Sequence, residues 1–175
     1  DAKMTAVRNK LKVTREKERS FTVIVLNKNA QQMLDDVGYT SLYISSDTNF
    51  TIVFNHDWKQ ADSLEHEYAH SQSDGLSRWY QHLLFRGMNE ALTENATSNP
   101  KTYPVQREVL NQILTIYPEY ETLMYEAYVG SNESRQLFFT KLIKDYGLEG
   151  FLVLARVAPI DNPKMSGEIG QAVYI

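Results

Sequence analysis

Apolar positions follow two regimes along the chain. Up to about residue 56 they come in short runs rich in β-branched and aromatic residues, and beyond Trp58 they recur at helical spacing. Residues 3–19 are polar and charged, with only weak helical periodicity. The run FTVIVL at 21–26 reads as a buried strand. Residues 29–37 read as a short helix closed by Gly38. Two further strands, 41–45 and 50–55, flank the turn-forming stretch SDTN. A helix over 59–72, broken near Asp74 and Gly75, precedes a second over 77–97 that stops before Asn99-Pro100. Helices over 105–116, 120–128 and 133–146 follow, with Gly130 and Gly147 at the positions of C-terminal stops. Residues 148–157 are apolar and helical, and the tail 158–175 is irregular. Strands first and helices after predict an α+β class. The whole of 1–175 reads as one domain, sheet-rich over 20–56 and helical over 58–157.

Composition narrows the class of function. The 175 residues are 42% hydrophobic and 23% charged, as in globular domains. The net charge is −4, and no Lys/Arg-rich block stands beside an aromatic platform, so no nucleic-acid partner is expected. Seven basic residues, Lys3, Arg8, Lys10, Lys12, Arg15, Lys17 and Arg19, gather in the first twenty positions. They read as a solvated leading segment or, alternatively, as an electrostatic docking surface. No cysteine is present, which leaves His, Asp and Glu as the available metal ligands. The longest apolar runs fall far short of the roughly 20 residues that span a bilayer, so no membrane span is expected. A start at Asp1 reads as a trimmed or processed product.

The segment Leu64-Glu65-His66-Glu67-Tyr68-Ala69-His70 carries the chemistry. Residues four apart share one helix face, so His66 and His70 can reach one ion. Glu67 is offset from His66 by about 100°, which puts its carboxylate beside the ion and not on it. A carboxylate there can take a proton from metal-activated water. Nineteen residues separate His70 from Glu90, which lies within Gly87-Met88-Asn89-Glu90-Ala91-Leu92-Thr93-Glu94 on the next predicted helix. His56, at a strand-to-helix junction beside Asp57 and Trp58, reads as structural.

With that third candidate ligand, residues 50–97 resemble the gluzincins, the HExxH peptidases whose third ligand is a glutamate. The Asn-Glu-Ala triplet and the nineteen-residue gap look most like thermolysin. The metzincin pattern is absent, because Ser73 and Leu76 stand where it requires Gly and His. The resemblance implies a zincin-like fold: a small N-terminal sheet, an active-site helix, a glutamate-ligand helix and a C-terminal helical bundle. It implies Zn2+ held by His66, His70 and Glu90, with Glu67 as general base for a zinc-bound water attacking a peptide carbonyl. It implies that Glu94, where the family writes Asp, hydrogen-bonds His66. It also implies that strand 50–55 is the sheet edge an extended substrate joins. No histidine follows His82, so the family's downstream oxyanion histidine has no counterpart. Tyr80 is the leading substitute, ahead of His82, Tyr103 and Tyr128. A peptide or protein substrate is expected. The Gly-x-Met-Glu-Asn aminopeptidase signature is missing, which favours an endopeptidase. By the usual deployment of such small enzymes, an extracellular or cell-surface location after processing is favoured. The alternative is a non-catalytic zinc-binding or peptide-binding domain of zincin fold, which an intact Glu67 disfavours.

Overall fold

The structure, a computed structural model, describes residues 2–13, 21–27, 30, 32, 41–45, 50–54, 63–73, 85–130 and 132–157. The elements in chain order are α1 (Ala2–Leu11), β1 (Thr22–Val25), β2 (Ser41–Ser45), β3 (Phe50–Phe54), α2 (Ser63–Gln72), α3 (Arg86–Ala96), α4 (Pro104–Ile116), α5 (Tyr120–Val129) and α6 (Asn132–Ala155). Backbone contacts group them into two compact units, 1–72 with 96–99, and 73–95 with 100–175.

The fold class is the main correction. The described residues are mostly helical, with six helices against three strands of four or five residues. An α+β, zincin-like plan therefore does not describe the chain. One reason is that the basic leading segment is itself a helix. In α1, Val7 and Leu11 are fully buried while Lys3, Arg8 and Lys10 stay near the surface. Two apolar anchors four residues apart suffice to seat one helix face, although the surrounding charge dilutes their signal.

In the first unit the strands pair in the order β1-β3-β2. β1 runs parallel to β3, with Thr22 opposite Thr51, and β2 runs antiparallel to it, with Ser45 opposite Phe50. The strand at 50–54 is thus the centre of the sheet. The expectation that it forms the substrate-binding edge is overturned, because both its hydrogen-bonding sides are taken. The buried reading of 21–26 is also corrected. Val23, Ile24 and Val25 are each at least 40% exposed, so an unbroken apolar run here marks an open strand and not a core one. Asn27 accepts the Ala30 N–H on its side-chain oxygen at 3.0 Å, the geometry of a helix N-cap. Residues 30 and 32 are helical, and the rest of the predicted helix 29–37 lies outside the described residues. Tyr68 and Ala69 of α2 are fully buried, and the Tyr68 ring meets Phe21 edge-on at 5.5 Å.

The second unit is a set of helices around an aromatic core. Phe85 stacks on Phe139 at 4.9 Å and meets Phe151 edge-on, and Tyr120, Tyr117 and Tyr146 extend the cluster. α4 opens with Pro104 in its first turn, where a missing N–H costs nothing. α5 stops at Val129, before Gly130. Residues 132–155 run as two helices joined at Gly147, whose φ of 73° and ψ of 174° are open essentially to glycine alone. The start of α3 is tied to the end of α6, since the Phe85 N–H donates to the Ala155 carbonyl and the Gly87 N–H to the Val157 carbonyl. The approach is close enough that a Cβ on Gly87 would sit 2.4 Å from the Val157 oxygen. The predicted tail 158–175 lies outside the described residues. Among the described residues no helix is long and apolar enough to cross a membrane.

Candidate metal centre

α2 carries both imidazoles. Its apolar residues Tyr68 and Ala69 face the core, which leaves the face bearing His66 and His70 to meet each other one turn apart. Their Nε2 atoms lie 3.1 Å apart and the rings are nearly perpendicular, with centroids 4.7 Å apart. Two ligands on a tetrahedral zinc at 2.0–2.1 Å stand about 3.3 Å from each other, so the observed separation matches the edge of such a site. Without a cation the same spacing accommodates one imidazole N–H donating to its neighbour.

α3 supplies the carboxylates. From Gly87 to Glu94 every residue is buried, including Asn89, Glu90, Thr93 and Glu94. A carboxylate at that depth is stable only with donors or a cation close by. For Glu94 the donors are visible: its Oε1 accepts the backbone N–H groups of Lys101 at 2.5 Å and Thr102 at 2.8 Å. These contacts turn the chain into α4. Glu90, 4% exposed, belongs to the one group of three metal-capable side chains found among the described residues. The ligand atoms of His66, His70 and Glu90 all lie within 4.8 Å of one another. Two nitrogens and a carboxylate oxygen form a borderline-hard donor set that suits zinc. A site of three protein ligands would leave a fourth position open, as hydrolytic sites require. Glu67, one residue along from His66, is 7% exposed.

Of the remaining candidates, Tyr80 and His82 lie outside the described residues, as does His56. Tyr103 precedes Pro104 with a left-handed backbone at φ 51°. Tyr128 is fully buried on α5, with its hydroxyl 2.7 Å from Thr93 Oγ1. Burial pushes its pKa up, opposed by hydrogen bonds to Thr93 and Ser73 and reinforced by the charge of Glu90, so the hydroxyl stays a neutral donor. Neither Thr93 nor Ser73 stands out in the sequence. The available signal is a threonine lying between Glu90 and Glu94 on a helix that is buried all round.

Glu65 is a further residue that motif reading passes over. It is 3% exposed, and its two oxygens accept the N–H and the hydroxyl of Ser98 at 2.5 and 2.8 Å. Lys3 of α1 stands 3.8 Å away, and Lys10 donates to the Thr97 carbonyl. α1 and α2 are thereby latched to the turn 97–99 that follows α3. Lys3 and Lys10 thus each meet a partner within the first unit. No family model matches the chain, and comparison with curated proteins and with solved structures gave no significant match.

Proposed function

We propose that the chain is a zinc-dependent metallopeptidase of gluzincin type, hydrolysing peptide bonds as an endopeptidase. The observation that carries this reading is the grouping of His66, His70 and Glu90, with the imidazole nitrogens at tetrahedral-edge spacing. The intact Glu67 on the same helix adds the one group that a purely structural site has no use for.

Bound zinc would supply Lewis acidity towards water and towards a carbonyl oxygen. His66 and His70 would hold it as neutral imidazoles, and Glu90 would bring one negative charge that offsets half of the cation's. Glu67 takes a proton from water as the oxygen adds to the scissile carbonyl carbon. It then delivers that proton to the amide nitrogen as the C–N bond breaks, leaving a carboxylic acid and an amine, and the acid's remaining proton passes to the amine to give carboxylate and ammonium. The burial of Glu67 shields the proton from bulk solvent through both transfers.

Glu67→Gln tests the assignment. The variant keeps shape and hydrogen-bonding reach but cannot accept the proton. It should bind zinc like the parent and lose cleavage of a mixed peptide library by at least about a hundredfold, the low end for a positioned general base. A variant that cleaves at the parent's rate would sink the base assignment. Zinc binding by both proteins with cleavage by neither would favour a non-catalytic zinc domain.

A further inference from the structure

A directed chain of hydroxyls runs behind Glu90. Thr93 donates its Oγ1 proton to the Asn89 carbonyl at 2.8 Å. Its Oγ1 also lies 2.7 Å from Tyr128 Oη, and Ser73 is the other side-chain hydrogen-bond partner of Tyr128. Each hydroxyl has one proton. Thr93 spends its proton on Asn89, so Tyr128 must donate to Thr93, and Ser73 must then donate to Tyr128. The direction is fixed: Ser73 to Tyr128 to Thr93 to the Asn89 carbonyl. Tyr128 and Thr93 are fully buried, and Ser73 and Asn89 are at most 2% exposed. The chain begins three residues after His70 and ends on the residue before Glu90.

We propose that Tyr128 is a positioning residue for the metal centre, its hydroxyl fixing through Thr93 the rotation of α3 that aims the Glu90 carboxylate. The inference rests on reading His66, His70 and Glu90 as metal ligands. The lever is steep. Side-chain ends stand about 5–6 Å from a helix axis, so a rotation of about 10° moves a carboxylate oxygen by about 1 Å. Metal sites tolerate about 0.2 Å in ligand distance. Backbone hydrogen bonds to the end of α6 hold the first turn of α3 and the Glu94 contacts hold its last, while the hydrogen bond between Thr93 and Tyr128 of α5 fixes the turn between them, which carries Glu90.

The test is a cobalt(II) titration of the whole chain, read as affinity against a competing chelator and as the ligand-field spectrum. The proteins are wild type, Tyr128→Phe, Thr93→Val and Thr93→Ser, each with the melting temperature of its metal-free form. Wild type should bind one cobalt. Tyr128→Phe and Thr93→Val should bind about tenfold more weakly, as when a metal ligand's supporting hydrogen bonds are removed, with a changed spectrum. Thr93→Ser, which keeps the hydroxyl, should restore both. Unchanged affinity and spectrum in Tyr128→Phe would overturn the proposal, even if its melting temperature fell. Should Tyr128→Phe not fold, the comparison of Thr93→Val with Thr93→Ser decides on the same readouts. A wild type that binds no cobalt would instead remove the ligand reading, and this inference with it.

Discussion

Replacing Glu65 with alanine should cost stability out of proportion to its place beside the motif. The carboxylate is 3% exposed and accepts two hydrogen bonds from Ser98, at 2.5 and 2.8 Å. Hydrogen bonds to a charged acceptor contribute about 1.5–3 kcal/mol each. Ser98 is itself exposed, so water can satisfy its N–H and hydroxyl once the carboxylate is gone, which pulls the sum towards its lower end. The ion pair with Lys3, at 3.8 Å and with that lysine more than half exposed, adds little. The expected loss for Glu65→Ala is therefore about 3 kcal/mol. Glu65→Gln should cost only about 1 kcal/mol, because its amide oxygen can accept the Ser98 N–H and its amide nitrogen can donate to the Ser98 oxygen. Urea unfolding of the metal-free proteins separates the two. Equal midpoints for the alanine variant and wild type would show that the clamp between α2 and the turn after α3 contributes nothing.

Two other consequences concern the helical unit. Gly147→Ala should destabilise by about 1–3 kcal/mol through backbone strain alone, since an added Cβ meets no atom within 4 Å. Gly147→Asn should fare no better in thermal unfolding, because ψ of 174° lies outside the left-handed helical region that asparagine tolerates. Lys141 at 2.6 Å and then Tyr120 at 2.9 Å hydrogen-bond Asp145 and hold its carboxyl below the ordinary value of 3.8. A depressed carboxylate adds stability above its unfolded pKa and loses it as pH falls through the folded one. An NMR titration should place the Asp145 midpoint below 3.8, and Lys141→Met should raise it; an unmoved midpoint would refute the pairing.

Local signals carried the helical half well. Apolar spacing, with Gly130 as a stop, places α4 and α5 to within a residue or two, and Gly147 interrupts the last helical stretch at the expected stop. The candidate ligands were legible because residues four apart on one helix must meet. Sheet order was not legible, since no local feature says that β1 pairs with β3 and not with β2, its neighbour in sequence. The fold class is hard to read for a related reason. Dense β-branched runs announce three short strands loudly, whereas α1 announces itself through only Val7 and Leu11. The hydroxyl chain through Tyr128 joins residues far apart in sequence, so only the folded chain displays it.

Elemental analysis probes the ligand set His66, His70 and Glu90 without any assumption about substrate. Wild type and Glu90→Ala should be purified without chelator or affinity-tag metal, then compared before and after incubation with zinc. About one zinc per wild-type chain is expected, sharply reduced in the variant. No zinc in either protein, or equal zinc in both, would contradict that ligand set.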